Sequence, residues 1–279
     1  MMIPAHHFVP ASSLSIEALA DLYTRAFDDY FYPAATTAEE LASRIPAEQL
    51  LLDHSPLLYV DDTPVGLALL ALRGARSCCG GFGIVPAQRG RGLALPLTLA
   101  LLDQARQCGA RAMTLIVLAQ NERAIKSYCH AGFTIWREIW CFEWPTGGAA
   151  LATSASGELV GAAVPDLLAL GPEWPPVAPI WSREAATLRA LDGLTGLALT
   201  KRGSLAGYLV LRRAPDGAAD ILAIGARSAA DATLALAALQ RQGGRITCFN
   251  EPADSPGAAA MDTLGFARTF RRYEMCISL

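Results

Sequence analysis

The chain has 279 residues, 52% hydrophobic and 18% charged, which excludes a disordered tail and gives enough length for two domains with full cores. Lys and Arg number 23 against 26 Asp and Glu, a net charge of −3 that argues against a general nucleic-acid or anionic-membrane binder. Only Lys126 and Lys201 are lysines; the arginine and alanine excess reads as codon bias.

A short strand at 7–9 is followed by apolar residues at helical spacing over 13–27, with Ser13 or Ser15 as cap. Thr36 to Glu40 opens a second short helix with acidic residues in its first turn. The period then changes: 56–60, a turn at Asp61-Asp62-Thr63-Pro64, and 65–72 read as a hairpin. The next strand, 77–85, is rich in glycine and so is bulge-prone or closely approached by another element. A polar loop over 86–92 leads to a helix over 93–108 stopped by Gly109. A buried strand at 111–118, a helix over 121–131 closed by Gly132, and an aromatic strand at 134–144 complete a mixed α/β pattern.

The stretches 145–165 and 167–179, rich in Gly, Ala, Ser and Pro, read as irregular connections. Beyond them the pattern repeats. Thr98-Leu99-Ala100-Leu101 recurs as Thr233-Leu234-Ala235-Leu236, and the helix stops Gly109 and Gly244 share the same offset of 135. Ala131-Gly132-Phe133 before an Arg-bearing strand recurs as Leu264-Gly265-Phe266, at an offset of 133. The common order and spacing point to a diverged duplication, with domains expected at 1–146 and 147–279.

Mean hydropathy is +0.29, yet the apolar runs 65–72 and 93–102 fall short of the roughly 18 residues of a spanning helix. The first residues lack a basic flank followed by an apolar core. The seven cysteines include no C-x-x-C and the four histidines lack ligand spacing, so the expectation is a cytoplasmic protein with reduced thiols and no metal.

The informative stretch is Ile84-Val85-Pro86-Ala87-Gln88-Arg89-Gly90-Arg91-Gly92-Leu93-Ala94. Strand, glycine loop and helix N-terminus together form a concavity of backbone N–H groups suited to an anion. Gly90 and Gly92 permit close approach of a phosphate, while Arg89 and Arg91 add charge. An exposed basic turn is the plain alternative. Neither the P-loop pattern nor G-x-G-x-x-G is present.

Followed by Asn121, Ala124, Tyr128 and Gly132-Phe133, this stretch resembles the GNAT superfamily of N-acyltransferases, whose R-x-x-G-x-[GA] signature is met by Arg89, Gly92 and Ala94. The resemblance covers residues 5–145. It implies an α/β (α+β) fold, a mixed, mostly antiparallel twisted sheet flanked by helices, here in two GNAT-like domains. It also implies acetyl-CoA as co-substrate, with the N–H groups of Arg89, Gly90, Arg91, Gly92, Leu93 and Ala94 on the pyrophosphate. Ile84, Val85 and Asn121 would serve the pantetheine arm, a splay or bulge leaving an N–H free to polarise the thioester carbonyl. Tyr128 would protonate the departing thiolate, a fitting task for a phenol of ordinary pKa about 10. Its alternative is a tyrosine that caps the core.

Family members often place a Glu on the strand before the loop, but 75–85 holds no carboxylate and offers Ser77, Cys78 and Cys79 instead. Asp28, Asp29 and Tyr30 at the end of the first helix, and Glu143 in the aromatic strand, are weak candidates for the acceptor side. Solvated surface, or deprotonation by water, are the alternatives. Trp136, Trp140 and Trp144 share a strand face and either line an acceptor pocket or pack against the second half.

The second copy has only Ile224 to Ala230 in place of the loop, and Met261 where Tyr128 is expected. It reads as a degenerate domain kept for packing, acceptor-site walls or dimerisation. The activity expected is direct acetyl transfer to a primary amine of a small molecule or peptide, by a monomer or homodimer. A non-catalytic acyl-CoA-binding sensor or assembly module is the alternative.

Overall fold

The structure, a computed structural model, describes residues 5–145, 147, 157–170 and 177–279. Pro172, Pro175 and Pro176, expected to break structure, and most of the residues from 146 to 156 lie outside the described residues.

The chain opens with β1 (His7–Pro10), α1 (Ile16–Ala26) and α2 (Ala38–Glu48). Ser15 caps α1 by accepting from Ala18 N–H, and Thr37 and Glu40 form a capping box on α2. β2 (Pro56–Val60) and β3 (Thr63–Arg73) form the expected hairpin; its two turn residues, Asp61 and Asp62, both have positive φ, the geometry of a tight two-residue turn. Then come β4 (Arg76–Ile84), α3 (Ala94–Gln107), β5 (Ala112–Leu118), α4 (Glu122–His130) and β6 (Thr134–Trp144). After them lie β7 (Glu158–Ala162), α5 (Val164–Leu168), α6 (Ala185–Leu188), β8 (Leu194–Lys201), β9 (Ser204–Arg213) and β10 (Ala219–Ala226). The chain closes with α7 (Ala229–Gln240), β11 (Ile246–Pro252), α8 (Pro256–Thr263) and β12 (Ala267–Ser278). β7 and α5 occupy part of the stretch that reads as irregular in the sequence.

The chain forms two compact units, residues 1–136 with 273–279, and residues 137–272. Neither boundary falls at 146/147, because β6 and β12 each serve both units. The first unit runs β1-β2-β3-β4-β5, followed by the end of β12 and the start of β6. Its β4–β5 pair is parallel, and its core gathers Leu93, Leu97, Met113, Tyr128, Phe133 and Met275. The final seven residues therefore complete the first unit: Leu279 N–H donates to Arg111 O (2.9 Å), and Ile277 packs against the place a Cβ on Gly132 would occupy.

The second unit repeats the order β–β–β–α–β–α in β8-β9-β10-α7-β11-α8, again with one parallel pair, β10–β11. Its core includes Phe142, Trp144, Leu209, Ile246, Met261 and Phe266. Among the described residues no helix is long and apolar enough to cross a membrane.

Candidate functional site

The loop before α3 is built as an anion cradle. Gly90 and Gly92 hold φ of 76° and 81°, which a side chain adopts only under strain. Leu93, buried in the core, fixes the start of α3 but offers no side-chain cap. Pro96 in the first turn has no N–H to satisfy. Among the described residues no acceptor meets the N–H groups of Gly90 to Leu95, so they and the helix dipole are available to an anion.

The two arginines of the loop play different parts. Arg91 is exposed and donates to Gln88 Oε1 (2.7 Å). Arg89, expected to add charge to the cradle, instead donates through Nε to Ile84 O (2.9 Å) and through Nη2 to Ala26 O (3.1 Å) and Asp28 O (2.6 Å). Its side chain ties the orphan carbonyls at the end of α1 to the end of β4.

Beside the cradle, β4 and β5 part. Their parallel pairing covers only Arg76–Ala112, Ser77–Met113 and Cys78–Thr114, whereas the strands run on to Ile84 and Leu118. Val85 N–H donates to Val65 O (2.8 Å), and its carbonyl accepts from Gln88 N–H. The Val85 N–H is thus committed to β3, and its carbonyl keeps one lone pair for the pantetheine arm expected there. Alternation then turns the backbone of Ile84 and Phe82 away from β3 and into the fork between β4 and β5. The Ile84 carbonyl is taken by Arg89, which makes the Ile84 N–H the donor on offer.

The glycines of β4 have the two uses that the sequence suggests. Register slips between Leu69 and Leu70, so Gly80 is a bulge residue. A Cβ on Gly81 would lie 2.8 Å from the Tyr23 ring, and one on Gly83 would lie 2.9 Å from Ala26 Cβ, so α1 sits directly on the strand.

Tyr128, on α4, is buried, with Phe82 and Phe133 edge-on at 5.5 and 6.0 Å. Burial pushes its phenol well above the ordinary range, and Cys79 and Tyr30 push it further. Such a phenol holds its proton. Asn121 caps α4 through Oδ1, which accepts from Ala124 N–H (3.3 Å), so its side chain holds the helix start next to the fork.

Of the acceptor-side candidates, Tyr30 is brought near Tyr128 and belongs to a ring cluster with Phe27, Phe31 and Tyr32 at 5.1–5.2 Å. Asp28 and Asp29 are exposed. Glu143 belongs to the second unit and pairs with Arg245 (2.9 Å), whose hydrogen bond holds its pKa below the usual range. The tryptophans separate as well: Trp136 is exposed in the first unit, while Trp140 bonds Glu138 and Trp144 is buried in the second unit. Burial raises Cys78 and pushes Cys79 up to about 12, so both thiols of the strand hold their protons.

Sequence reasoning passed over Arg44 and Glu48, an i,i+4 pair on α2 (2.9 Å). Arg44 Nη2 donates to the bulge carbonyl of Gly80 (2.6 Å). The helical spacing of the pair was visible; its contact with β4 depends on the bulge. Among the described residues no group of three or more His, Cys, Asp or Glu is placed to hold a metal.

The corresponding helix of the second unit is different. Ser228 Oγ accepts from Asp231 N–H (3.1 Å) and donates to Asp231 Oδ2 (2.7 Å), so α7 is capped by its own side chains with a carboxylate in the first turn. That carboxylate, 3.7 Å from Lys201 Nζ, occupies the first turn of α7, where α3 has no acidic residue. Met261 is fully buried in α8.

Residues 16–133 match the model of the acetyltransferase (GNAT) family. No curated protein matches the sequence. A tandem GNAT protein from the clavulanic acid biosynthesis pathway has a TM-score of 0.68 at 16% identity, with 98% of each chain covered. A GCN5-related N-acetyltransferase from Sphaerobacter thermophilus has a TM-score of 0.69 at 15% identity, covering 98% of this chain and 95% of that one. One from Anabaena variabilis has a TM-score of 0.64 at 16% identity, covering 98% and 72%. At these identities the structures establish the fold alone. The family match is confined to residues 16–133, and within that stretch the chain is similar to the acetyltransferase (GNAT) family.

Proposed function

We propose that the first unit is an acetyl-CoA-dependent N-acetyltransferase acting by direct transfer to a primary amine, and that the second unit does not bind the coenzyme. The observation that carries this reading is the uncapped start of α3 beside the fork of β4 and β5, set against the self-capped start of α7. The N–H groups of Gly90 to Ala94 suit the pyrophosphate, with Arg91 adding charge at the rim. The Ile84 N–H faces the fork, where a thioester carbonyl gains negative charge as the amine attacks. Tyr128, a buried phenol that keeps its proton until the thiolate forms, gives that proton to the departing thiolate. The acceptor lies on the α1–α2 side, where Asp28, Asp29 and Tyr30 favour a cationic amine.

The test is coenzyme A release from acetyl-CoA in the presence of a panel of amines. Amine-dependent release supports transfer. Tight acetyl-CoA binding with no release for any amine favours a non-catalytic sensor, and no binding at all removes the reading.

A further inference from the structure

Each unit grips its own fork with an arginine. In the first unit the last β4–β5 rung is Cys78–Thr114, and the bulge residue Gly80, two positions further on, accepts from Arg44. In the second unit the last β10–β11 rung is Asp220–Thr247, and register slips between Ile221 and Ala223, leaving Leu222 as bulge residue two positions beyond the rung. Leu222 O accepts from Arg183 Nε (2.8 Å). Rung, bulge and guanidinium are thus repeated.

The carboxylate partner is not repeated. Arg44 pairs with Glu48 on its own helix through two hydrogen bonds (2.9 and 3.2 Å), and none of its bonds reaches β5. Arg183 crosses from β10 to β11: it donates to Phe249 O (3.4 Å), two residues past the last rung, and is ion-paired with Glu251, which also accepts from Ser255 Oγ (2.5 Å). Both members of that pair are almost wholly buried, so the second fork is filled by a protein cation.

We propose that the position of the carboxylate decides whether a fork admits the pantetheine arm: Glu48 holds Arg44 back from β5, whereas Glu251 draws Arg183 across and shuts the second fork. Glu48 is therefore a positioning residue for coenzyme binding. Arg44 without Glu48 keeps the Gly80 carbonyl and the Tyr23 ring, 5.6 Å from its centroid, and loses the carboxylate that holds its guanidinium to α2, which frees it to turn toward β5 as Arg183 turns to Phe249.

The proposal rests on the acyl-CoA reading of the first unit. Its test is calorimetric titration of the full chain with coenzyme A. Glu48→Ala should weaken binding about five- to tenfold, the scale of one ordinary hydrogen bond. The double variant Arg44→Met/Glu48→Ala, which removes the guanidinium that would cross, should return to near the wild-type Kd. Glu48→Gln, which keeps a neutral partner, should fall between the two and supplies the comparison if the alanine variant does not fold. Unchanged binding in Glu48→Ala, or a double variant as impaired as the single one, would overturn the proposal. A wild-type chain that does not bind coenzyme A would instead overturn the acyl-CoA reading beneath it.

Discussion

The last seven residues offer the sharpest test of how the chain is divided. Met275 is fully buried in the same cluster as Tyr128 and Phe133, although it follows the whole second unit in sequence. Truncating a buried Met to Ala costs about 2–5 kcal/mol, from lost transfer energy and the cavity left behind. With a urea m-value of roughly 1–3 kcal/mol/M, this corresponds to a midpoint shift on the order of 1–2 M. Met261, equally buried in α8, is the matched control in the second unit. Hydrogen exchange resolved by mass spectrometry separates the two. Met275→Ala should speed exchange in 93–118 and leave 229–240 protected, and Met261→Ala should do the reverse. If Met275→Ala loosened only 229–252, the assignment of 273–279 to the first unit would be wrong.

Arg89→Ala should lower the melting temperature more than Arg91→Ala, because it strands three carbonyls at about 0.5–1.5 kcal/mol each. Arg91→Ala should instead weaken coenzyme A binding in a salt-dependent way; equal melting temperatures for the two variants would contradict these roles. Gly92→Ala forces a side chain to a φ of 81°, a strain of about 1–3 kcal/mol that should appear as weaker coenzyme A binding in titration. The raised pKa of Tyr128 keeps its proton in place above pH 10, so kcat should rise as the acceptor amine deprotonates and show no fall below that pH. A descending limb near pH 8 that is present in wild type and absent in Tyr128→Phe would contradict the upward shift of this phenol.

Much of the first unit is legible in its sequence because its signals are local. Gly109 and Gly132 stop helices at φ of 81° and 99°, the Asp61-Asp62 turn closes a hairpin, and the glycines of β4 mark a bulge and a close helix. The cradle is legible for the same reason, since it is a short run of backbone. What escapes is the use of side chains over long separations. Arg89 looks like a phosphate ligand but serves carbonyls about sixty positions earlier, and Glu143 looks available until Arg245 is brought to it. The exchange of β6 and β12 ends is also hidden, because a strand's pattern does not name its partner. The repeat in the sequence indicates two copies without revealing that each copy's last strand is divided between them.

The account stands on Tyr128 as the acid of an acetyltransferase, and the most direct measurement is amine-dependent coenzyme A release by wild type and Tyr128→Phe under saturating acetyl-CoA. The phenylalanine keeps the ring against Phe82 and Phe133 and removes only the proton donor. The account predicts a kcat lowered well over tenfold, more than about 1.4 kcal/mol of transition-state stabilisation, with acetyl-CoA affinity unchanged. A variant that turns over at the wild-type rate would contradict it.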